Sequence, residues 1–448
     1  MKLLESVTTR PESLAGLRSR LERILSHPAF VPGAMLFGIV LRVLVATLLP
    51  VEPASDYAWY VARAREIAAG LGYQEGGWPT AYWPVGWPAI LAGGYLLFGS
   101  MTLAIITLNS LAALATMYLI LWFGRQVAGS ERIGRIALVA YAVYPNHIAY
   151  TGLAATEIVY TALAMGAFAL LIRGRSRFWL LVASGLIFGI ATLVKPQTIA
   201  FPFGAAIALA LVYRSYSWIA TVRAGLIVYV ALLLVVLPWT YRNFVVFGVP
   251  VLVSTNGGTA LLLGANDQLT GDHFEYQRTP VFTELGIPWE DRVARQVELN
   301  KRQKESAAEW IKENTASYIG WMPKKILMVW IKDTDGFWSY DNSYPHATLA
   351  VRGFQVINQL FYAVTLILAL GCAWFAFIGL LRREEKAARL GLLFCMPIFV
   401  SLLAAVFTGQ IRYHFSSMPF LFIAAAWTLA NRTSYARSYG RSLPPKSG

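Results

Sequence analysis

Apolar runs of about 20 residues recur from one end of this chain to the other, and they decide its fold class. A run of that length crosses the hydrocarbon core of a bilayer as a helix, because a helix satisfies its own backbone there. The 448 residues are 57% hydrophobic and only 14% charged, whereas a soluble domain is about a quarter charged. The expected fold is therefore an all-α polytopic membrane protein. A cytosolic enzyme, a disordered chain and a secreted disulfide scaffold are excluded. Cys372 and Cys395 both lie in apolar segments, which argues against a structural disulfide or a cysteine metal site.

The runs place spans at 32–51, 101–123, 134–150, 157–172, 179–195, 198–213, 221–241, 353–381, 389–407 and 411–430. Net charge is +14. In a membrane protein such a surplus points to anionic lipid and to cytoplasmic loops, not to nucleic acid. Basic clusters stand at Arg18/Arg20/Arg23, Arg125/Arg132/Arg135, Arg173/Arg175/Arg177, Arg214/Arg223, Arg382/Arg383/Lys386/Arg389 and Arg432/Arg437/Arg441/Lys446. Ten crossings put all of them on the cytoplasmic side. Residues 84–100 are then a short interfacial or re-entrant helix rather than a span, because counting them as a crossing would move the Arg125–Arg135 cluster outside. Polar residues before the first span, with no small-residue cleavage site after it, argue against a signal peptide.

The resulting organisation is a cytoplasmic segment 1–31, a transmembrane module 32–241 with its first outer loop at 52–100, an outer lobe 242–352, transmembrane helices 353–430 and a cytoplasmic tail 431–448. Residues 242–341 hold 13 acids and 11 bases, a net −2, so the rest of the chain is +16. That shift marks the lobe. No internal repeat is visible, which weighs against an inverted-repeat transporter.

The first outer loop has apolar residues at helical spacing from Tyr57 through Tyr60 to Leu71, the pattern of an amphipathic helix on the membrane surface. Asp56 stands at its first turn. An acid there suits a helix N-terminus; held at the membrane–water boundary it also suits a general base. Tyr57, Tyr60, Tyr82 and Trp83 read either as an interfacial aromatic belt or as a platform for a sugar or headgroup. Glu157 and His147 lie near the outer start of the fourth span. Lys195, Arg242, Arg412 and His414 lie at outer ends of spans, where the positive-inside bias should have removed the cations. Singly they read as snorkelling side chains. Together, facing Asp56 and Glu157, they read as an anion site beside carboxylates, suited to a membrane-anchored phosphate. Arg42, mid-way through the first span, must be paired. Walker, GxGxxG, HExxH and CxxC motifs are missing.

The order of these features resembles the GT-C class of integral-membrane glycosyltransferases, nearest the bacterial relatives of protein O-mannosyltransferases and of the lipid A aminoarabinose transferase. The features are a first-loop acid followed by DYAWYVARAREIAAGLGY, then PTAYWPVGWPAILAGGYLLFG with its Pro84–Gly86–Pro88 turn. Glu157 follows as a second outer acid where related enzymes often have Asp, then Lys195–Pro196 and Arg412–Tyr413. The likeness covers residues 30 to about 270 and the last two spans. It implies a GT-C-like bundle of about 10–12 transmembrane helices with periplasmic interfacial helices. It implies a polyprenyl-phosphate-linked sugar donor such as an undecaprenyl phosphate ester, and a lipid, glycan or protein acceptor in the cell envelope. The setting would be a bacterial inner membrane, with the active site facing outward. Asp56 carries over as the base and Glu157 as its companion. Members of the class differ in metal dependence; no obligatory cofactor is implied, and Asp56 and Glu157 are the pair that would hold a divalent cation. A glycan polymerase or ligase using a diphosphate-linked glycan shares the cationic rim, and a lipid-linked sugar flippase is the remaining alternative.

Overall fold

The computed structural model describes residues 14–213, 217–268 and 279–440. Arg214, Arg441 and Lys446 of the basic clusters lie outside the described residues. The first half holds α1 (Leu14–Ser26), α2 (Phe30–Leu48), α3 (Asp56–Ala68), α4 (Gly86–Phe98), α5 (Met101–Gln126), α6 (Glu131–Ala142), α7 (Pro145–Ala149), α8 (Glu157–Arg173), α9 (Phe178–Val194), α10 (Phe201–Val212) and α11 (Trp218–Phe247). The second holds α12 (Gly257–Leu263), α13 (Pro280–Thr283), α14 (Gln296–Glu313), α15 (Thr315–Trp330), α16 (Asp335–Ser343), α17 (Thr348–Arg382), α18 (Glu385–Ala388), α19 (Cys395–Val406) and α20 (Met418–Gly440). A two-residue hairpin pairs β1 (Gln74–Glu75) with β2 (Trp78–Pro79).

Among the described residues, six helical stretches are long and apolar enough to cross a membrane: Phe30–Leu48, Met101–Gln126, Glu157–Ser176, Trp218–Phe247, Thr348–Arg382 and Glu385–Val406. Gly86–Phe98, Phe178–Val194 and Pro196–Val212 are apolar but shorter. The chain is a multi-pass membrane protein. Six such stretches are fewer than the ten crossings expected: α6, α9 and α10 fall short in length, and α20, at 23 residues, is polar in sequence from Asn431 on. α6 and α10 have 12 residues each, about 18 Å of rise against a hydrocarbon core of about 30 Å. α4, at 13 residues, is likewise too short to span.

Arg42 is fully buried in α2. Its guanidinium donates to the carbonyls of Ala142 (3.0 Å), Tyr141 (2.8 Å) and Gly38 (3.0 Å). Two of these carbonyls lie at the C-terminus of α6, where a cation is favoured. This mid-span charge is thus a cap that joins α2 to α6.

Between α11 and α17 the chain builds a small core of its own, with Leu262, Leu263, Phe282, Ala307 and Tyr318 buried together. α15 returns this segment to the bundle. Its Lys325 is fully buried, and Nζ donates to the Gly264 carbonyl at 2.6 Å. Burial lowers the Lys325 ammonium to about 8. Gly264 is required there, because a Cβ would lie 1.9 Å from the Phe407 carbonyl oxygen.

Candidate functional site: two ion pairs beside an apolar cavity

The chain enters α3 through Ser55, whose φ of +51° is rare outside glycine. Such a conformation costs about 1–3 kcal/mol and persists only where the surroundings enforce it. The next residue is Asp56. Its carboxylate accepts from the Arg412 guanidinium at 3.1 Å, and both side chains remain about a quarter exposed. The second acid, Glu157, opens α8 and is nearly fully buried. It accepts from the Lys195 ammonium at 2.9 Å and from the Thr156 hydroxyl at 3.2 Å. Gly86 sets this spacing: a Cβ there would meet the Leu193 carbonyl oxygen at 2.6 Å, so the first loop packs directly on the backbone beside Lys195. Trp87 fixes the other side, donating to the Ala154 carbonyl at 2.8 Å.

Glu157, Lys195 and Arg412 border a cavity of about 500 Å³, within the size range of small-molecule sites. Tyr57, Tyr60, Trp83 and Tyr160 line its polar end. Phe399, Val400, Leu403 and Phe407 give it an apolar wall on α19 and just beyond. Three carboxylates, Asp56, Glu157 and Asp335, surround Arg412. Burial lowers the pKa of its guanidinium, but these neighbours outweigh burial and raise it well above the ordinary value.

Arg412 lies on a 3₁₀ segment, Ile411–Ser417. At three residues per turn, positions 412 and 415 share a face. Arg412 and Phe415 accordingly both line the cavity. His414 does not. It is buried, with Nε2 at 2.9 Å from an Asp333 carboxylate oxygen and Nδ1 at 2.6 Å from the Val329 carbonyl. Asp333 also accepts from Tyr144, from Asn146 and, at 3.0 Å, from the Asn358 amide. Burial opposes ionisation of Asp333, yet these donors, His414 first, hold its carboxyl below the usual range.

The structure therefore divides the residues singled out from the sequence. Glu157, Lys195, Arg412, Tyr57, Tyr60 and Trp83 line the cavity, and Asp56 joins them through its ion pair with Arg412. His414, Arg242, Tyr82 and His147 do not line the cavity. Arg242 turns away because α11 runs on to Phe247, six residues beyond the expected end of that span. On the helix flank it donates to the carbonyls of Tyr73 and Thr80, both at 2.9 Å, and braces the hairpin loop. Tyr82 packs edge-on against Trp83 and Trp289. His147 is fully buried and stacks on Phe415 at 3.6 Å, behind the cavity wall.

Asp335 and Tyr150 were not apparent from the sequence. Asp335 opens α16, stays partly exposed, and accepts from the Tyr150 hydroxyl. Burial, reinforced by Glu157 and Asp333, raises its pKa although Arg412 and Tyr150 act the other way. Its acidity gave no signal in a lobe where acids outnumber bases.

Asp56 and Glu157 already face Arg412 and Lys195. Among the described residues no three His, Cys, Asp or Glu side chains converge.

Over 92% of its length the chain superposes on the Archaeoglobus fulgidus oligosaccharyltransferase tethered to an acceptor peptide, with a TM-score of 0.53 at 11% identity. The chain has the GT-C fold. Archaeoglobus fulgidus AglB, in complex with an inhibitory peptide and a dolichol-phosphate, matches with a TM-score of 0.50 and 10% identity over 93% of this chain. The chain spans about half the length of these archaeal enzymes, 50% and 52%. ArnT from Cupriavidus metallidurans, bound to undecaprenyl phosphate, has a TM-score of 0.42 and 15% identity over 93% of this chain and 80% of its own. Residues 83–241 match the family model of dolichyl-phosphate-mannose-protein mannosyltransferases. That stretch carries the GT-C segment from Trp83 through Glu157 and Lys195 to the end of the expected span. No curated protein matches the chain in sequence.

Proposed function

We propose that this GT-C chain is a membrane glycosyltransferase that moves a sugar from a polyprenyl-phosphate donor to an acceptor on the outer face of a bacterial inner membrane. The observation that carries the proposal is the pairing of two cations with two carboxylates at the polar end of an apolar-walled cavity, with one of those carboxylates preceded by strained backbone. The family match over 83–241 and the dolichol-phosphate and undecaprenyl phosphate named for structures of similar fold agree with such a donor.

The polyprenyl chain lies along Phe399, Val400, Leu403 and Phe407, and its phosphate meets Lys195 and Arg412. Arg412 then exchanges Asp56 for the phosphate, which frees the Asp56 carboxylate. An acceptor hydroxyl attacks the anomeric carbon from the face opposite the phosphate, so the configuration inverts. The new C–O bond forms as the bond to the phosphate oxygen breaks. The electron pair leaves with the lipid phosphate, and the hydroxyl proton passes to Asp56. Lys195 and Arg412 stabilise the developing charge. Glu157 holds Lys195 in place, and Tyr57, Tyr60 and Trp83 give the sugar a face to rest on.

Asp56→Asn tests the assignment. Removing a general base costs about 10²–10⁴ in rate, while the donor phosphate does not bind Asp56. The expected result is loss of transfer with donor affinity, read by native mass spectrometry of the bound lipid, retained or tightened, because Arg412 no longer has to release a carboxylate. Full activity in Asp56→Asn removes the base from this scheme. Co-purification of a diphosphate-linked oligosaccharide replaces the scheme with a polymerase or ligase.

A further inference from the structure

The cavity has a third side besides its ion pairs and its apolar wall. Ser254, Asn256 and Gly257, where the chain passes from α11 to α12, also line it. This stretch is pinned from both flanks. The α11 side chains of Asn243, Thr240 and Trp239 donate to the carbonyls of Val251 (2.9 Å), Leu252 (2.8 Å) and Val253 (2.8 Å). On the other flank the Thr255 amide donates to the Ala81 carbonyl at 2.8 Å. Gln296 of α14 ties the two together, its side-chain carbonyl accepting from the Ala81 amide at 2.8 Å and from the Thr255 hydroxyl at 3.2 Å. Thr255 is buried, while its neighbours Ser254 and Asn256 are turned to the cavity. Polar groups fixed in this way before a ligand arrives lose little entropy on binding it.

An exchange of duties releases Asn256 for a ligand. It is the N-cap of α12, where an asparagine side chain ordinarily accepts from the N2 or N3 amide. Asn256 makes no such bond. The N2 amide, that of Gly258, donates instead to the Asn300 side chain of α14 at 2.8 Å. α14 lies so close that a Cβ on Gly258 would be 2.4 Å from the Asn300 carbonyl oxygen. Asn256 Oδ1 accepts from the Ser254 hydroxyl at 2.7 Å, which orients the amide. Among the described residues Asn256 Nδ2 has no partner, and no group donates to Ser254 Oγ. The two side chains thus present an uncharged donor beside an uncharged acceptor. Neighbouring hydroxyls on a sugar ring match them: one oxygen accepts from Nδ2, and the other hydroxyl donates to Oγ. Tyr57, Tyr60 and Trp83 suit the C–H face of such a ring, and this pair suits its rim.

Resting on the glycosyltransferase reading above, we infer that Asn256, oriented by Ser254, is a specificity-determining residue that holds two neighbouring hydroxyls of the donor sugar. Lys195 and Arg412 hold the phosphate that every donor of this class carries. Asn256 distinguishes what is attached to it, and takes no part in the bonds that form and break.

The test uses the purified full chain, with bare polyprenyl phosphate, polyprenyl-phosphate mannose and polyprenyl-phosphate glucose competing for it, read by native mass spectrometry. A neutral hydrogen bond is worth about two- to tenfold in affinity. Wild type should therefore bind one of the two esters about tenfold more tightly than the bare lipid. Asn256→Ala should remove most of that preference and leave the affinity for the bare lipid unchanged, a split that a purely structural residue would not produce. Ser254→Ala should remove a smaller part. Esters lacking the hydroxyl at C2, C3 or C4 then locate the contact: the hydroxyl held by Nδ2 should cost wild type about two- to tenfold and cost Asn256→Ala nothing further. An unchanged preference in Asn256→Ala, or an equal loss for bare and glycosylated lipid, overturns the inference. An unchanged preference with a raised KM for decyl glucoside as acceptor gives the pair to the acceptor and overturns it too. Wild type that binds the bare lipid as tightly as both esters overturns it and leaves the phosphate assignment standing. Failure to bind any of the three lipids overturns the glycosyltransferase reading, and this inference with it.

Discussion

Two acid–base clusters meet on the 3₁₀ segment 411–417, two residues apart, and they are built on opposite terms. Around Asp333 every charge is answered inside the protein. Its carboxylate takes donors from His414, Tyr144, Asn146 and Asn358, and the His414 ring lies near Trp330 and Tyr362 at 5.6 and 5.0 Å. Asp333 and His414 are almost wholly buried. Around Arg412 the pairing is provisional. Asp56 and Arg412 keep about a quarter of their side chains exposed, and the charges of Glu157 and Asp335 add to that of Asp56 at the guanidinium. A satisfied buried network rigidifies its surroundings, whereas a partly satisfied one stores free energy that a ligand can use. The closed cluster holds the segment in place, and the open one on its neighbouring face is free to exchange partners.

The comparison is tested hardest at Asp333. Breaking one side of a buried pair leaves an uncompensated charge and costs about 3–5 kcal/mol. Asp333→Asn should therefore lower thermal stability by that order, read as a drop in Tm of the detergent-solubilised protein. The pH sign follows from the depressed carboxyl. Its stabilisation is complete above the unfolded value of about 3.9 and is lost as pH falls through the lower folded value. Wild type should lose stability across that acid window, and Asp333→Asn should lose less.

Arg412→Gln should do the reverse. Removing one donor to developing charge costs about 10²–10³ in turnover, and the partly exposed pair contributes little to stability, so Tm should stay close to wild type. A large fall in Tm with turnover retained would merge the two clusters into one structural network.

The smallest expected effect lies at Lys325, which anchors the loop leading to Arg412 through Gly264. Its folded pKa of about 8 is below the unfolded value of about 10.4. The folded chain thus binds fewer protons between these values, and stability should rise as pH goes from 8 to 10, by an amount of order 2 kcal/mol. Lys325→Met should flatten that rise, measured as the difference in Tm slope between variant and wild type.

How much of this was legible before folding depended on contrast. Asp56, Glu157, Lys195 and Arg412 stood out because each is a charge at the rim of an apolar run, where charge is expensive. Arg242 and His414 carried the same signal, but a sequence position fixes depth and not direction. Arg242 was turned by a helix six residues longer than its apolar run, and His414 by the three-residue turn that puts Arg412 and Phe415 on the other side. Asp333 and Asp335 were hidden because nothing distinguishes a neighbour of the site from a solvated acid within an acidic segment, and Tyr150 because one more aromatic at the end of an apolar run gives no signal. The short α4 agrees with the charge parity of the loops, whereas α6 and α10 are shorter than the apolar runs that hold them, because neighbouring apolar residues outside the helices lengthen those runs.

α17 carries a last consequence. Its 35 residues rise about 52 Å, and large apolar side chains stay exposed along nearly all of it, from Leu349 at 86% to Leu381 at 62%. A hydrocarbon core of about 30 Å covers little more than half of that length. The helix extends past the hydrocarbon, tilts, or thickens the bilayer around it, and the last two store free energy that grows with each ångström of mismatch. α17 supplies Asn358 to Asp333, and Asp333 anchors the turn that carries Arg412, so where this helix tilts or the bilayer thickens, lipid thickness is a mechanical input. Acyl-chain length in the surrounding membrane then bears on the geometry at which the guanidinium meets its partners.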